Sequence, residues 1–409
     1  MEESVLFDAA LGEVLAALPA QAPLVVALDD TLVRKCGTQI EGVAWRRDPL
    51  GPAFQTNLVR GQRFLQMSAA WPLPEGAARM VPILFQHAPS APKPPGGAGQ
   101  EQLANHREAR RQMCLNAYAL AQMKRLRAAA PPDRHIVYCG DGSYTNAVVL
   151  KNLPAGCTYI GRIRKDAKLH SLPEIAPATK PNGRPLCYGP LAPTPEELRT
   201  DEAAAWKTVQ ACAAGKTHAF RLKTLDRVLW QKSGARQVVR VVVIAPLGYR
   251  LRKGAKLLYR RAAFLICTDP DLPLEQLLQY YLWRWGIEVN FREEKTLLGA
   301  GEAHVRTASS NRHLPAVIVA AYALLWVAAL RMHRRGSLPP AVQPPKWRAK
   351  SREGKILPST GDLLRTLRYE IWGRAIRPAA FHHFATGQNP DTKSPKPSPS
   401  LPAAILAVA

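Results

Sequence analysis

The spacing of apolar positions divides the chain into elements. Residues 4–18 carry Val5, Leu6, Leu11, Val14, Leu15 and Leu18 at helical steps and predict a short lead-in helix. The run PLVVALDDTLV, from Pro23 to Val33, is continuous and β-branched, broken only by Asp29, Asp30 and Thr31. It predicts a buried strand ending in two carboxylates. Residues 35–55 are rich in Gly and Pro and read as a loop. Strand-like runs follow at Asn57–Trp71 and Arg79–Gln86. After the Pro/Gly break HAPSAPKPPGGAG, strong helix formers predict one long helix over Glu101–Ala129. A short strand at Asp133–Tyr138 leads into CGDGSYTN, which places Asp141 between two glycines in a tight turn before the next helix. A further strand is expected at Cys157–Arg164. The predicted order is strand, strand, strand, helix, strand, helix, strand.

Beyond a Pro-rich stretch at Asp166–Arg199, three more runs (Thr217–Gln231, Gln237–Pro246 and Lys256–Thr268) alternate Val or Leu with Lys or Arg. They predict an antiparallel β insertion with a basic face. Lys216, Arg221, Lys223, Arg227, Lys232, Arg236, Arg240, Arg250, Arg252, Lys253, Arg260 and Arg261 all fall there. Such a face can protect a sheet edge, or track phosphates with Trp206 or Trp230 stacking on bases. Leu314–Leu330 is short for a membrane span, carries Pro315 and has Arg on both flanks, and so reads as a core helix. Ser359 and Asp362 have the spacing of a helix cap, and the Pro-rich stretch from Gln388 reads as a disordered tail.

YLWRWGIEVNFREEK, from Tyr281 to Lys295, continues a helical lead-in. Steps of three, four and seven place Tyr281, Arg284, Glu288 and Lys295 on one stripe. Leu282, Trp285, Val289 and Leu297 are the expected buried face. A solvated charged face is the commoner use of such a stripe. A core-facing helix with one central carboxylate among a phenol, a guanidinium and an ammonium also suits a site for a metal and a phosphate chain.

The Tyr-x2-Arg-x3-Glu-x6-Lys spacing resembles the signature around the third acidic residue of one group of bacterial insertion-sequence DDE transposases. In that family the first catalytic Asp ends a hydrophobic strand and is followed by Thr or Ser, which maps onto Asp29 and Thr31, with Asp30 as competitor. The second maps onto Asp141. The resemblance implies an α/β, RNase H-like mixed sheet flanked by helices, with a β-rich insertion before the last catalytic helix. Its divisions would be a lead-in helix (1–22), the first part of the catalytic core (23–165), a basic insertion (166–270), the closing helices (271–335), a C-terminal helical region (336–387) and a tail (388–409). It implies Asp29, Asp141 and Glu288 as catalytic metal ligands. It implies Tyr281, Arg284 and Lys295 as contacts to DNA phosphates.

The implied chemistry is DNA cleavage and strand transfer at insertion-sequence ends, with two Mg²⁺ ions or Mn²⁺ in their place. Double-stranded DNA is the implied partner, bound by a homodimer away from any membrane. Family members carry an end-recognition domain ahead of the first Asp. Here Asp29 stands near the start, which leaves a DNA-binding remnant without catalysis as the alternative. A stand-alone nuclease of the same fold is a third reading, for which the Tyr-Arg-Glu-Lys stripe has no need.

Charge agrees with a polyanionic partner: 56 Lys and Arg against 31 Asp and Glu give a formal charge of +25. The seven cysteines form no C-x-x-C pair, and the first residues lack the basic start of a secretory signal. Both fit a reducing cytoplasm, with the protein associated with the nucleoid.

Overall fold

The computed structural model describes residues 3–37, 39–48, 51, 55–173, 187–231, 237–250, 254–337 and 357–372. After a 3₁₀ turn, helix α1 (Asp8–Ala17) leads into β1 (Leu24–Arg34), β2 (Ala44–Arg47), β3 (Leu58–Pro72) and β4 (Ala78–His87). Helices α2 (Gln100–Gln112) and α3 (Leu115–Ala129) precede β5 (Ile136–Gly140), α4 (Ala147–Leu150) and β6 (Cys157–Arg162). The expected single helix over 101–129 is therefore two. All of α2 lies outside the core, whereas α3 buries Ala119, Met123 and Leu126. Extended backbone at Cys114 separates the polar helix from the one that packs.

β1 is the axis of the sheet. It pairs antiparallel with β3 and parallel with β5, and β5 pairs parallel with β6. β4 lies on the far side of β3. The order β4-β3-β1-β5-β6 is that of an RNase H-like sheet, reached in the chain order that the apolar runs predict.

The later strands are β7 (Leu169–His170), β8 (Leu191–Ala192), β9 (Lys207–Ala213), β10 (Lys216–Trp230), β11 (Val238–Ile244), β12 (Gly248–Tyr249), β13 (Leu258–Tyr259) and β14 (Ala263–Cys267). Helix α5 (Pro195–Thr200) sits between β8 and β9, and β12 pairs with β13 alone. The remaining insertion strands do not form a separate sheet. β14 hydrogen-bonds to β6, and β11 and β10 follow outward, so twelve strands of the described residues share one sheet. β9, which the alternation leaves unmarked, pairs along β10.

Side-chain alternation along β1 divides the core. Leu24, Val26 and Leu28 face α1, α3 and helix α8 (Ala308–Arg334). Val25 and Ala27 face helices α6 (Leu274–Trp283) and α7 (Trp285–Thr296). Helix α8 is long and apolar enough to cross a membrane by length and composition. It buries Pro315, Val319, Tyr322, Trp326 and Leu330 in the core, as expected of a core helix. Ser359 and Asp362 cap helix α9 (Thr360–Trp372) reciprocally, at 3.0 and 3.2 Å. The expected tail from 388 lies outside the described residues, as do Lys232, Arg236, Arg252 and Lys253.

Candidate active site

The parallel β1–β5 pairing brings the first two acids together. Leu28 is the register partner of Gly140, so Asp29 and Asp141, the next residue on each chain, stand at the same level on neighbouring strands. Adjacent strands lie about 4.8 Å apart. Gly140 is required by space: a Cβ there would meet the Tyr159 hydroxyl at 2.3 Å. Gly142 has nothing closer than 3.9 Å, and neither glycine is in the left-handed region. The turn after β5 is thus closed by side chains. Ser143 N donates to Asp141 Oδ1 at 2.8 Å, and Thr145 Oγ1 donates to the Asp141 carbonyl at 2.8 Å. Asp141 does not cap the following helix. Asn146 does, accepting from Val148 N and Val149 N, and α4 is shorter than the pattern predicts.

Alternation separates the two aspartates of β1. Asp29 faces α6 and α7. Asp30 faces the other way, accepting from the Tyr144 hydroxyl at 3.0 Å within the field of Arg63 and Arg46.

The third acid arrives on α7, which follows α6 with only Arg284 between them. At Arg284 the backbone tightens, with Arg284 N bonded to Tyr281 O at 3.2 Å and Ile287 N to Arg284 O at 3.0 Å, both three-residue spacings. The expected buried face, Leu282, Trp285, Val289 and Leu297, is not the one used. Trp285 is 57% and Leu297 42% exposed, and α7 instead buries Ile287, Asn290 and Glu294. Two polar residues are accommodated because β3 and β4 offer them partners. Asn290 donates to Ser68 Oγ and the Met80 carbonyl, and Gln66 donates to Glu294. These residues fall at helical steps from Ile287, a signal legible in the sequence but not read there as a packing face.

The charged stripe lies along β1. Arg284, itself buried, donates from Nη1 to Asp29 Oδ2 at 3.3 Å and from Nη2 to Glu288 Oε1 at 3.0 Å. Its guanidinium carbon is 5.7 Å from the Tyr281 ring centre. Lys295 donates to Thr31 Oγ1 at 2.6 Å and to the Leu32 carbonyl at 2.9 Å. Arg284 and Lys295 are therefore spent on the protein's own oxygens in this state, rather than standing open as phosphate contacts. Arg284 Nε remains buried without a partner.

Burial raises the Asp29 carboxyl to about 7. Asp141 and Asp30 add to the rise and Arg284 opposes it. Burial likewise pushes Asp30 up, against the Tyr144 hydrogen bond, and pushes Lys295 down. A carboxylate this crowded by like charges is short of positive charge, and its hard oxygens suit Mg²⁺ or Mn²⁺. The fit of Asp29 and Asp141 to a divalent ion is good. That of Glu288 is partial, because its Oε1 is taken by Arg284. Among the described residues, no three His, Cys, Asp or Glu side chains stand as a ready metal-binding group.

The basic insertion is more internally paired than its composition implies. Lys223 is buried and donates to the Arg199 and Asp201 carbonyls; Arg240 and Arg227 pair with Asp226 and Asp271. Trp206 has Arg221 and Lys223 over its ring, and Trp230 packs half-buried against the core. Lys216, Arg221, Arg260 and Arg261 remain exposed.

A family described as DDE superfamily endonuclease matches residues 3–237, which include Asp29 and Asp141 and stop before Glu288. No curated protein matches the chain.

Proposed function

The chain belongs to the DDE superfamily of endonucleases, and from that premise we propose that it is a transposase of the Tyr-Arg-Glu-Lys group that cuts insertion-sequence ends and joins them to target DNA. The observation that carries this reading is the level placement of Asp29 and Asp141 on adjacent parallel strands, with Glu288 linked to Asp29 through one guanidinium. Asp29, Asp141 and Glu288 would hold Mg²⁺ or Mn²⁺. Such ions, when bound, activate the attacking water or 3′-hydroxyl and stabilise the leaving oxygen. Arg284 holds the first and third acids in one frame, and would turn its fork to a phosphate oxygen only when ions take over the two acids. Tyr281 supports that fork by its ring face, and Lys295 braces α7 on β1. The exposed Lys216, Arg221, Arg260 and Arg261 would track the DNA backbone. We place the protein in the cytoplasm on the nucleoid, acting as a homodimer.

The test is incubation of a plasmid bearing the DNA that flanks the chain's own coding sequence, with Mg²⁺ or Mn²⁺, beside Glu288→Gln. Metal-dependent breaks and joined products, lost in the variant, support the reading. Breaks without joined products would reduce it to a nuclease. DNA binding without cutting in either protein would favour a non-catalytic remnant.

A further inference from the structure

We propose that a buried polar network on α7 positions the helix that carries Glu288, making Asn290, Glu293 and Glu294, with their partners Gln66 and Arg79, positioning residues for the site. The inference rests on the transposase reading for what the positioning serves, but the network itself does not.

The network begins beside the first acid. Gln66 on β3 is the register partner of Asp29 on β1. Its Nε2 donates to Glu294 Oε1 at 3.0 Å and to Ser68 Oγ at 3.1 Å. Asn290 Nδ2 donates to the same Ser68 Oγ at 3.2 Å and to the Met80 carbonyl at 3.1 Å. Asn290 Oδ1 accepts from Arg79 at 3.2 Å, with the Tyr322 hydroxyl oxygen 3.1 Å away. Glu293 Oε2 gathers three donors: Arg79 at 2.8 Å, Tyr322 at 2.7 Å and Thr360 at 2.7 Å. The Arg79 guanidinium lies 3.8 Å from the Trp326 ring centre. One turn of α7 is thus fixed to β3, β4, α8 and α9 by directional bonds.

Apolar side chains would hold a helix on a sheet at lower cost, since each buried carboxyl must be desolvated. They would also let it slide by the tenths of an ångström that packing tolerates. Hydrogen bonds to both ends of Asn290 do not. A carboxylate that must meet Asp29 and Asp141, carried on strands far earlier in the sequence, needs that constraint. Burial raises the Glu294 carboxyl to about 8, so it sits in the network as a neutral acid near pH 7.

The experiment compares the full chain with Asn290→Leu and Glu294→Gln, reading DNA cleavage and amide hydrogen exchange. Asn290→Leu is expected to lower kcat about 10–100-fold with little change in KM for DNA. Exchange should rise across 285–296 while β1 and β5 stay protected. Glu294→Gln keeps the acceptor for Gln66 and should retain near-normal kcat and exchange. Unchanged protection of α7 in Asn290→Leu overturns the proposal, as does loss of protection throughout the sheet, which would mean general destabilisation. If the unmodified chain cuts no DNA, the transposase reading fails, and exchange in α7 still decides the positioning role.

Discussion

Arg284 Nη1 lies 3.3 Å from Asp29 Oδ2, and the same guanidinium reaches Glu288 with its other arm. A side chain from the stripe is therefore the counter-charge of the site. Replacing it with Gln would leave two acids facing each other without a cation. Without metal, Arg284→Gln should lose about 2–3 kcal/mol, less than a fully buried pair because Glu288 is 35% exposed. Divalent ions should return part of that loss. Melting in EDTA and in Mg²⁺ checks this; equal destabilisation in both would show that the guanidinium does not share the place of a cation.

The alternation of β1 predicts opposite results for its two aspartates. Asp29→Asn and Asp141→Asn should each abolish metal-dependent cleavage, by about 100-fold or more. Asp30→Asn should keep most of it, because Asp30 is turned toward Tyr144. Cleavage assays of the three purified variants distinguish the pair.

Gly140 and Gly142 flank Asp141 alike in sequence and differ in space. Gly140→Ala would drive a methyl into the Tyr159 hydroxyl and displace the strand end that carries Asp141. It should cost about 1–3 kcal/mol and most of the activity. Gly142→Ala meets only the Arg162 carbonyl at 3.9 Å and should melt within about 0.5 kcal/mol of the unmodified protein.

Stability should fall with pH across the range set by Glu294. Its carboxyl is raised in the folded state from 4.5 to about 8. A raised carboxyl favours folding fully below its unfolded value, and that contribution disappears as pH climbs through the folded one. Between about pH 4.5 and 8 the protein should lose about 1–4 kcal/mol through this group. Glu294→Gln should flatten that slope, as urea titrations at several pH values would measure.

Much of this architecture can be read from the chain. The apolar runs around Val25 and Val137 mark the parallel pair, and the two acids follow from where those runs end. The spacing from Tyr281 to Lys295 places a charged stripe on one face, and Arg284 and Glu288 do meet. The face of α7 that is buried could not be read the same way. Periodicity assigns burial to apolar residues, whereas Asn290 and Glu294 go inward because Gln66, Ser68 and Met80 supply partners more than 200 positions away. The partner of Arg284 is equally non-local, since Asp29 lies 255 positions earlier. The break before α3 escapes notice because Met113 and Cys114 are not helix breakers. The pairing of Lys223 with two carbonyls is invisible to a count of charges.

β1 and the residues that complete its site are made far apart in time. Arg284 leaves the ribosome 255 residues after Asp29. At about 5–20 residues per second, that delay is on the order of 10–50 s. Late in that interval the nascent chain has made the basic strands, which end at Cys267, but still lacks the helix bearing Glu288. A growing chain could hold DNA before it could cut it, and a message broken inside the insertion would yield a product limited to holding.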